Sequence, residues 1–483
     1  MKRVLMDISG ELSRIVLMEQ GEPAEVYYES KAEASLVGNI YAGRVENVIP
    51  TLQAAFVDIG VEKNAYLYYG KKRAASDEEK TNRPKAGETV LVQVEKDAVG
   101  EKGAVLTREI SFAGKFLVLL PGEAGEIGIS RKIAKEEERQ RIRGILEQIL
   151  PKEHGVIVRT NGAGRVEPAF QAELGQLLEK WNCLKQAEYR KPPALLWREN
   201  LPALKAARDF YAADVDSFVV NDKETYEKLL ETGDFNGEGQ PKLELYQDKI
   251  PLFSAFYVES KLEKALQQRV WLKSGGFLVI EETEACVVMD VNTGKINGKG
   301  DLEKTIRKTN LEAAEEAARQ MRLRNLSGII IIDFVDMVHE EDRRLVTKTL
   351  EMAVAKDRIK TVVVGLTQLG LMQVTRKKTR PSLLRQISTK CRSCEGSGRV
   401  FSPEWIVAKM RRETRTILAG GMCPGLLVHG DRRLLAAYAG KDGCFLRQME
   451  EEYLASVTLC EQEGAAYGWY DLERQEKRIG KES

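Results

Sequence analysis

Two apolar runs, each closed by an aspartate and separated by one long helix-patterned segment, most constrain what this chain can fold into. FLVIEE (277–282) and ACVVMDVN (285–292) predict a hairpin. DLEKTIRKTNLEAAEEAARQMRLRNL (301–326) predicts a helix, because Leu302, Ile306, Ala313, Ala317 and Met321 recur at helical spacing. Asp301 suits its N-cap, Arg319, Arg322 and Arg324 suit its C-terminal dipole, and Gly328 suits its stop. Strand GIIIIDFVDM, helix EEDRRLVTKTLEMAVAKDR and strand TVVVGLTQ follow. The alternation over 266–387 is an α/β sheet unit.

Asp290 and Asp333 each end a buried apolar run. That predicts a place at the sheet's rim, where active sites lie. Two such acids on neighbouring strands suit a hard cation, since Mg²⁺ takes one or two carboxylates and fills its shell with water and substrate phosphate. Asn292 shares the face of Asp290 if the strand continues, and Asp336, three residues past Asp333, should point the other way. The competing reading makes both aspartates turn formers or helix caps.

Residues 1–35 read as alternating strands. Residues 36–108 hold five short strands punctuated by glycine, which suggests a small barrel. Tyr41, Phe56, Tyr66, Tyr68 and Tyr69 lie in those strands, with Arg44 and Lys102 nearby. Such a face stacks bases and holds phosphates, or its aromatics are core residues with β-propensity. Asp58 reads as a turn residue and Lys71–Gly87 as a solvated loop. In 109–203, Arg159 and Thr160 end a strand before a glycine turn, a pattern able to hold phosphate or to lie on a solvated surface. Residues 204–265 alternate strands and helices. The basic run Arg376–Arg380 is a phosphate-contact patch or a solvated loop.

Cys391 and Cys394, followed by EGSG, resemble a zinc knuckle. The motif supplies two of four ligands, and Cys423, Cys444 and Cys460 are scattered through a small helical tail, 402–483. Two chains sharing one zinc across a dimer axis would complete the set. A redox C-x-x-C lacks its βαβ setting here. The 483 residues carry 74 Lys+Arg against 73 Asp+Glu, net +1, which excludes a uniformly basic nucleic-acid coat but leaves room for a local basic groove. Only three histidines occur, His154, His339 and His429, each alone, so carboxylates rather than paired histidines should carry any chemistry. Seven cysteines, no signal-peptide pattern and no apolar run near ~20 residues point to the cytoplasm.

The segments GNIYAGRVENVIPTLQAAFVDIG, VRTNGAG, IPLFSAFYVES, SGGFLVIEETEACVVMDVN, TNLEAAEEAARQMRLRNLSGIIIIDFVDM and CRSCEGSG, in this order, resemble the ribonuclease E/G family of bacterial endoribonucleases. The resemblance covers roughly 1–401. Because the chain stops soon after its catalytic region, it looks more like the ribonuclease G branch. The resemblance implies a multidomain α/β protein. Residues 1–35 plus 204–265 would be an RNase H-like subdomain without its own catalytic acids. Residues 36–108 would be an S1 (OB-type) barrel, with Phe56 and Tyr66 on RNA bases and Lys102 as a basic RNA contact. Residues 109–203 would be a 5′-sensor region, where Arg159 and Thr160 grip a 5′-monophosphate and Gly114 and Val118 give backbone contacts. Residues 266–387 would be a DNase I-like catalytic subdomain, with Asp290 and Asp333 on Mg²⁺ and Asn292 beside them. Residues 388–401 would be a zinc link, Cys391 and Cys394 sharing Zn²⁺ between protomers, and 402–483 a small C-terminal domain. The implied activity is Mg²⁺-dependent cutting of single-stranded RNA, ribosomal precursors and messenger RNA, by a homodimer or tetramer. The Arg159/Thr160 pocket would favour 5′-monophosphate ends, and the products would carry 5′-phosphate and 3′-hydroxyl groups. Two other classes stay open: a non-catalytic RNA-binding or ribosome-associated factor, and a DNA-directed nuclease.

Overall fold

The computed structural model describes residues 1–30, 35–69, 83–98, 102–187, 191–199, 201–211, 214–294, 302–420 and 424–475. Asp301, Cys423 and most of the Lys71–Gly87 segment lie outside them. The chain divides into two units, Met1–Ile387 and Ser388–Ser483.

In the first unit, β1 (Lys2–Ile8), β2 (Leu12–Glu19) and β3 (Glu22–Ser30) form an antiparallel meander. The barrel strands are β4 (Ile40–Ile49), β5 (Ala54–Asp58), β6 (Ala65–Tyr68), β7 (Thr89–Lys96) and β8 (Val105–Thr107). The order β4-β5-β6-β8-β7 closes through a β4–β7 pairing, so these strands leave no open edge between them. Alternation drives the closure: Ala55, Val57, Ala65, Leu67, Val92 and Val94 face inward and are buried.

Strands β9 (Phe112–Ala113), β10 (Leu117–Pro121), β11 (Ile127–Ile129) and β12 (His154–Val158) form a four-stranded sheet in the order β11-β12-β10-β9. Helix α1 (Glu136–Ile149) lies between β11 and β12 in sequence, and α2 (Glu167–Ala187) packs Phe170, Leu174 and Leu177 into the same core. Strand β13 (Ala194–Trp197) returns to pair with β4. Helix α3 (Pro202–Phe210), β14 (Ser217–Val220), α4 (Lys223–Leu230) and β15 (Lys242–Leu245) then rejoin the first sheet, whose order is β15-β14-β1-β2-β3. The barrel and the four-stranded sheet are thus sequence insertions between two parts of one sheet.

After α5 (Leu252–Ala255) and α6 (Val258–Ala265), the remaining elements of this unit build the sheet that carries the two aspartates. They are β16 (Arg269–Trp271), β17 (Phe277–Glu282), β18 (Cys286–Asn292), α7 (Leu302–Leu323), β19 (Gly328–Asp333), α8 (Glu340–Val354), β20 (Thr361–Leu366), β21 (Leu371–Arg376) and α9 (Leu383–Ile387). The strand order is β16-β17-β18-β19-β21-β20; β18 and β19 are parallel and every other pairing is antiparallel. Helices cover one face. Ala313, Ala314, Ala317 and Ala318 bring α7 close against Leu278, Met289, Ile330 and Ile332. Leu302 is not on that face; it is 56% exposed.

Two local expectations are corrected. Helix α7 ends before Asn325, which takes the left-handed conformation (φ 51°), whereas Gly328 opens the next strand. Its terminal arginines serve more than the dipole: Arg322 is buried and donates to Glu19 and Glu25 on β2 and β3.

In the second unit, the tail is not simply helical. Helix α10 (Pro403–Ala419), β22 (Gly425–Gly430), α11 (Arg432–Ala439), α12 (Cys444–Tyr453), β23 (Ser456–Glu461) and β24 (Tyr470–Gln475) make an α/β domain. Its three-stranded sheet has the order β23-β22-β24, and Met410, Tyr438 and Met449 fill its core.

Candidate active site and nucleic-acid interface

Asp290 and Asp333 meet because β18 and β19 pair in parallel with these two residues in direct register. The pleat then decides their face. Val287, Met289, Val291, Ile330 and Ile332 point into the core, so Val288, Asp290, Asn292, Ile331 and Asp333 point to the other side. The acids therefore lie on the open face near the C-terminal ends of their strands. This corrects the picture of acids ending buried runs: alternate residues of each run face away from the core, with Val288 at 36% and Ile329 at 54% exposed.

Strand β18 continues two residues past Asp290, and Asn292 Nδ2 donates to Asp290 Oδ2 at 2.7 Å. The bond fixes one carboxylate oxygen and leaves the other free to ligate. Burial, then the neighbouring Asp290 and Asp336 carboxylates, push Asp333 above the usual carboxylate range. Asp336 was expected to point away. Strand β19 ends at Asp333, so alternation does not fix its direction, and its charge is near enough to act on Asp333.

A buried side chain that sequence reasoning missed holds this turn. Asn310, 0% exposed on α7, donates from Nδ2 to the Val335 carbonyl at 2.8 Å and accepts from the Val335 N–H at 3.1 Å. On the other side, Gly276 touches the end of β18; a Cβ there would sit 2.6 Å from the Asn292 carbonyl oxygen.

Among the described residues, no Lys or Arg forms an ion pair with Asp290 or Asp333, and no group of three His, Cys, Asp or Glu is arranged to hold a metal by itself. Two neighbouring carboxylates with no ion-pair partner among the described residues fit a cation such as Mg²⁺ that completes its shell with water and phosphate. Neither His154 nor His339 hydrogen-bonds either aspartate; they bond Gly122 and Glu303.

On the barrel, Phe56 and Tyr66 are direct cross-strand partners on the outer face, their rings 6.0 Å apart and edge-on. Both are half-buried, and Tyr68 is exposed beside them. Lys102 is exposed two residues before Ala104, whose carbonyl accepts from Tyr66 N–H. Arg44 is exposed on β4 opposite Asp58, which accepts from the Gly60 N–H in a turn. Tyr41 does not belong to this face; it is buried in the barrel core, and Tyr69 packs against that core.

In the four-stranded sheet, Arg159 is not free. Its Nη1 donates to the Gly114 carbonyl at 2.6 Å and its Nη2 to Asp209 Oδ1 at 2.9 Å. Thr160 Oγ1 lies 3.2 Å from Ser130 Oγ. Val118 pairs with Ile157 in the same sheet. These four positions therefore gather at one sheet end. Glu173 of α2 shapes that end: its carboxylate accepts from the N–H groups of Lys115, Phe116 and Leu117 at 2.6–2.8 Å, and a side chain at Gly114 would strike it.

The two ends of the basic run are structural, while Lys377, Lys378 and Thr379 between them are exposed. Arg376 ends β21 buried against Asp357, and the Arg380 guanidinium lies 3.7 Å from the Tyr27 ring centroid. In the second unit, Cys391 and Cys394 sit in a tight turn in which Glu395 N–H donates to the Cys391 carbonyl and Ser397 N–H to the Cys394 carbonyl. Backbone N–H groups of Cys394 and Ser393 hold the exposed Cys391 thiol below its ordinary range. No described helix is long and apolar enough to cross a membrane.

The sequence pattern of the ribonuclease E/G family matches residues 111–379. Ribonuclease G of Escherichia coli (strain K12) is 37% identical over 463 residues, spanning 92% of this chain and 94% of that protein. Ribonuclease G of Haemophilus influenzae is 38% identical over 424 residues, 85% of this chain and 86% of that protein. Ribonuclease E of Escherichia coli (strain K12) is 35% identical over 419 residues, 84% of this chain but 39% of that longer protein. With the paired aspartates, the closed barrel and this extent of similarity together, the chain belongs to the ribonuclease E/G family.

Proposed function

We propose that this chain is an endoribonuclease, a hydrolase that cuts single-stranded RNA with a divalent metal and leaves 5′-phosphate and 3′-hydroxyl ends. The observation that carries the reading is the in-register Asp290/Asp333 pair on an open sheet face, in a chain of this family. Asp290 and Asp333 would hold Mg²⁺, which supplies positive charge to the scissile phosphate and lowers the pKa of a bound water. Asn292 orients the Asp290 carboxylate through its amide. Asn310 fixes the Val335 turn, two residues past Asp333.

The supporting surfaces follow the same reading. The barrel acts as an S1-type RNA-binding domain in which Phe56 and Tyr66 stack bases and Lys102 and Arg44 meet phosphates. Residues 109–203 act as a 5′-sensor, with Arg159 and Thr160 holding a terminal monophosphate beside Gly114 and Val118. Since Arg159 is engaged by Asp209, it presents a fixed guanidinium edge rather than a swinging one. Residues 1–35 plus 204–265 form the RNase H-like part and 266–387 the DNase I-like catalytic part. Cys391 and Cys394 supply half of a Zn²⁺ site completed by a second protomer, giving a dimer or tetramer. Ribosomal precursors and messenger RNA in the cytoplasm are the substrates this reading implies.

The test uses purified protein and a single-stranded RNA bearing a 5′-monophosphate, with Mg²⁺, with chelator, and with Asp290→Asn, mapping product ends. Internal cuts that need metal and Asp290 support the reading. Tight binding without cutting would instead make the chain an RNA-binding factor. For the zinc link, Cys391→Ser should sediment toward monomer, and an unchanged sedimentation coefficient would remove the shared site.

A further inference from the structure

We propose that Arg269, Trp271 and Phe277 form a nucleobase-stacking subsite on the open face of the Asp290/Asp333 sheet, taking a nucleotide adjacent to the one being cut. The proposal rests on the reading of those aspartates as the cutting centre. Strand β16 is the sheet's edge, and its middle residue Val270 packs into the core, so Arg269 and Trp271 project to the open side. Trp271 is 64% exposed. Indole is an expensive group to leave in water, and among the described residues the ring that meets it is Phe277, 5.3 Å away at 62°. Arg269 sits over both rings, 4.4 Å from the Phe277 centroid and 5.7 Å from that of Trp271.

Register links this cluster to the acids. Trp271 pairs with Phe277, which pairs with Asn292; Arg269 pairs with Val279, which pairs with Asp290, which pairs with Asp333. The cluster and the acids therefore share two adjacent rows of one face, with Arg269 two strand spacings, about 10 Å, from Asp290. That separation suits a neighbouring nucleotide of a strand already held at Asp290. The chemistry is complementary: the acids repel a polyanion, Arg269 offsets that repulsion, and a free indole face accepts any base. A protein partner is disfavoured because the apolar face is interrupted by Arg269, Asp290 and Asp333, whose charges an apolar interface would have to desolvate.

The experiment uses the full chain. In the cleavage-deficient Asp290→Asn background, affinity for a single-stranded RNA is measured for Trp271, Trp271→Phe and Trp271→Ala, with an abasic site moved along the RNA. Trp271→Ala should weaken binding about 10-fold and Trp271→Phe much less. One abasic position should weaken Trp271 protein by a similar factor and leave Trp271→Ala unaffected. In the Asp290-containing enzyme, Trp271→Ala should raise KM about 10-fold with kcat within about twofold. If affinity is unchanged, or every abasic position is additive with Trp271→Ala, the subsite is refuted while the Asp290 assignment stands. If Trp271→Ala changes only sedimentation, the face is a contact between copies and the proposal is also refuted. Failure of the cutting-centre reading shows separately, as full activity of Asp290→Asn.

Discussion

Arg376→Met should destabilise the first unit by about 3–5 kcal/mol, the cost of leaving one partner of a buried ion pair behind. Arg376 is 2% exposed and Asp357 3%. The guanidinium donates from Nε to Asp357 Oδ2 at 2.6 Å, from Nη1 to Asn325 Oδ1 at 2.8 Å and the Leu326 carbonyl at 3.1 Å, and from Nη2 to Asp357 Oδ1 at 3.4 Å. Methionine replaces the aliphatic stem and none of these donors. Asp357 keeps hydrogen bonds from the Ile359 N–H and Thr361 Oγ1, both 2.9 Å, but loses its counter-charge. An exposed arginine would give about 1 kcal/mol or less, so the magnitude separates the two readings of the basic run. The assay is urea unfolding followed by tryptophan fluorescence for wild type, Arg376→Met, Asp357→Asn and the double variant. The double variant should cost less than the sum of the singles, because no unpaired charge stays buried. A loss under about 1 kcal/mol for Arg376→Met, joined to weaker RNA affinity, would refute the reasoning and return Arg376 to the phosphate patch.

Other expectations follow from the same packing. Asn310→Ala should lower kcat roughly 10- to 100-fold with KM held, measured at saturating metal; an unchanged kcat would free the Val335 turn from any positioning role. Glu173→Ala leaves three N–H groups without acceptors at roughly 1–3 kcal/mol each, and it should erase any preference for 5′-monophosphate over 5′-hydroxyl RNA in competition cleavage. At Glu19 burial raises the carboxyl pKa, but hydrogen bonding and charge from Arg322 outweigh it and hold the group below its ordinary range; at Asp209, Arg208 and Arg159 likewise outweigh burial. The unfolded chain then binds more protons below about pH 4–5, so stability present above that range is lost as pH falls. Arg322→Met should flatten the acid limb of Tm against pH, and an unaltered limb would contradict the assignment.

The elements themselves were readable in the sequence. The helical period placed Ala313, Ala317 and Met321 on one face of α7, and they are buried. The apolar runs ending at Asp290 and Asp333 became strands, with Asn292 beside Asp290. What escaped were residues whose meaning depends on a distant partner. Asn310 and Glu173 sit in helices where polar side chains usually meet water; their partners are backbone groups 25 residues away and nearly 60 residues away. Arg376 looked like one of several exposed cations until Asp357 and Asn325 enclosed it. Tyr41 and Phe56 shared a composition signal, and only the barrel's pleat sent one inward and the other outward.

The sequence by itself determined the periodicities, and hence the strands and helices, because neighbouring residues sense a period of two or 3.6 without reference to the rest of the chain. It also marked both aspartates by their position after apolar runs. Tertiary structure alone decided that β18 and β19 lie side by side with Asp290 opposite Asp333, and that α7 covers one face and leaves the other open. Those outcomes depend on register and packing between segments more than 40 residues apart, and a register step of one residue would have sent one aspartate into the alanine-lined core.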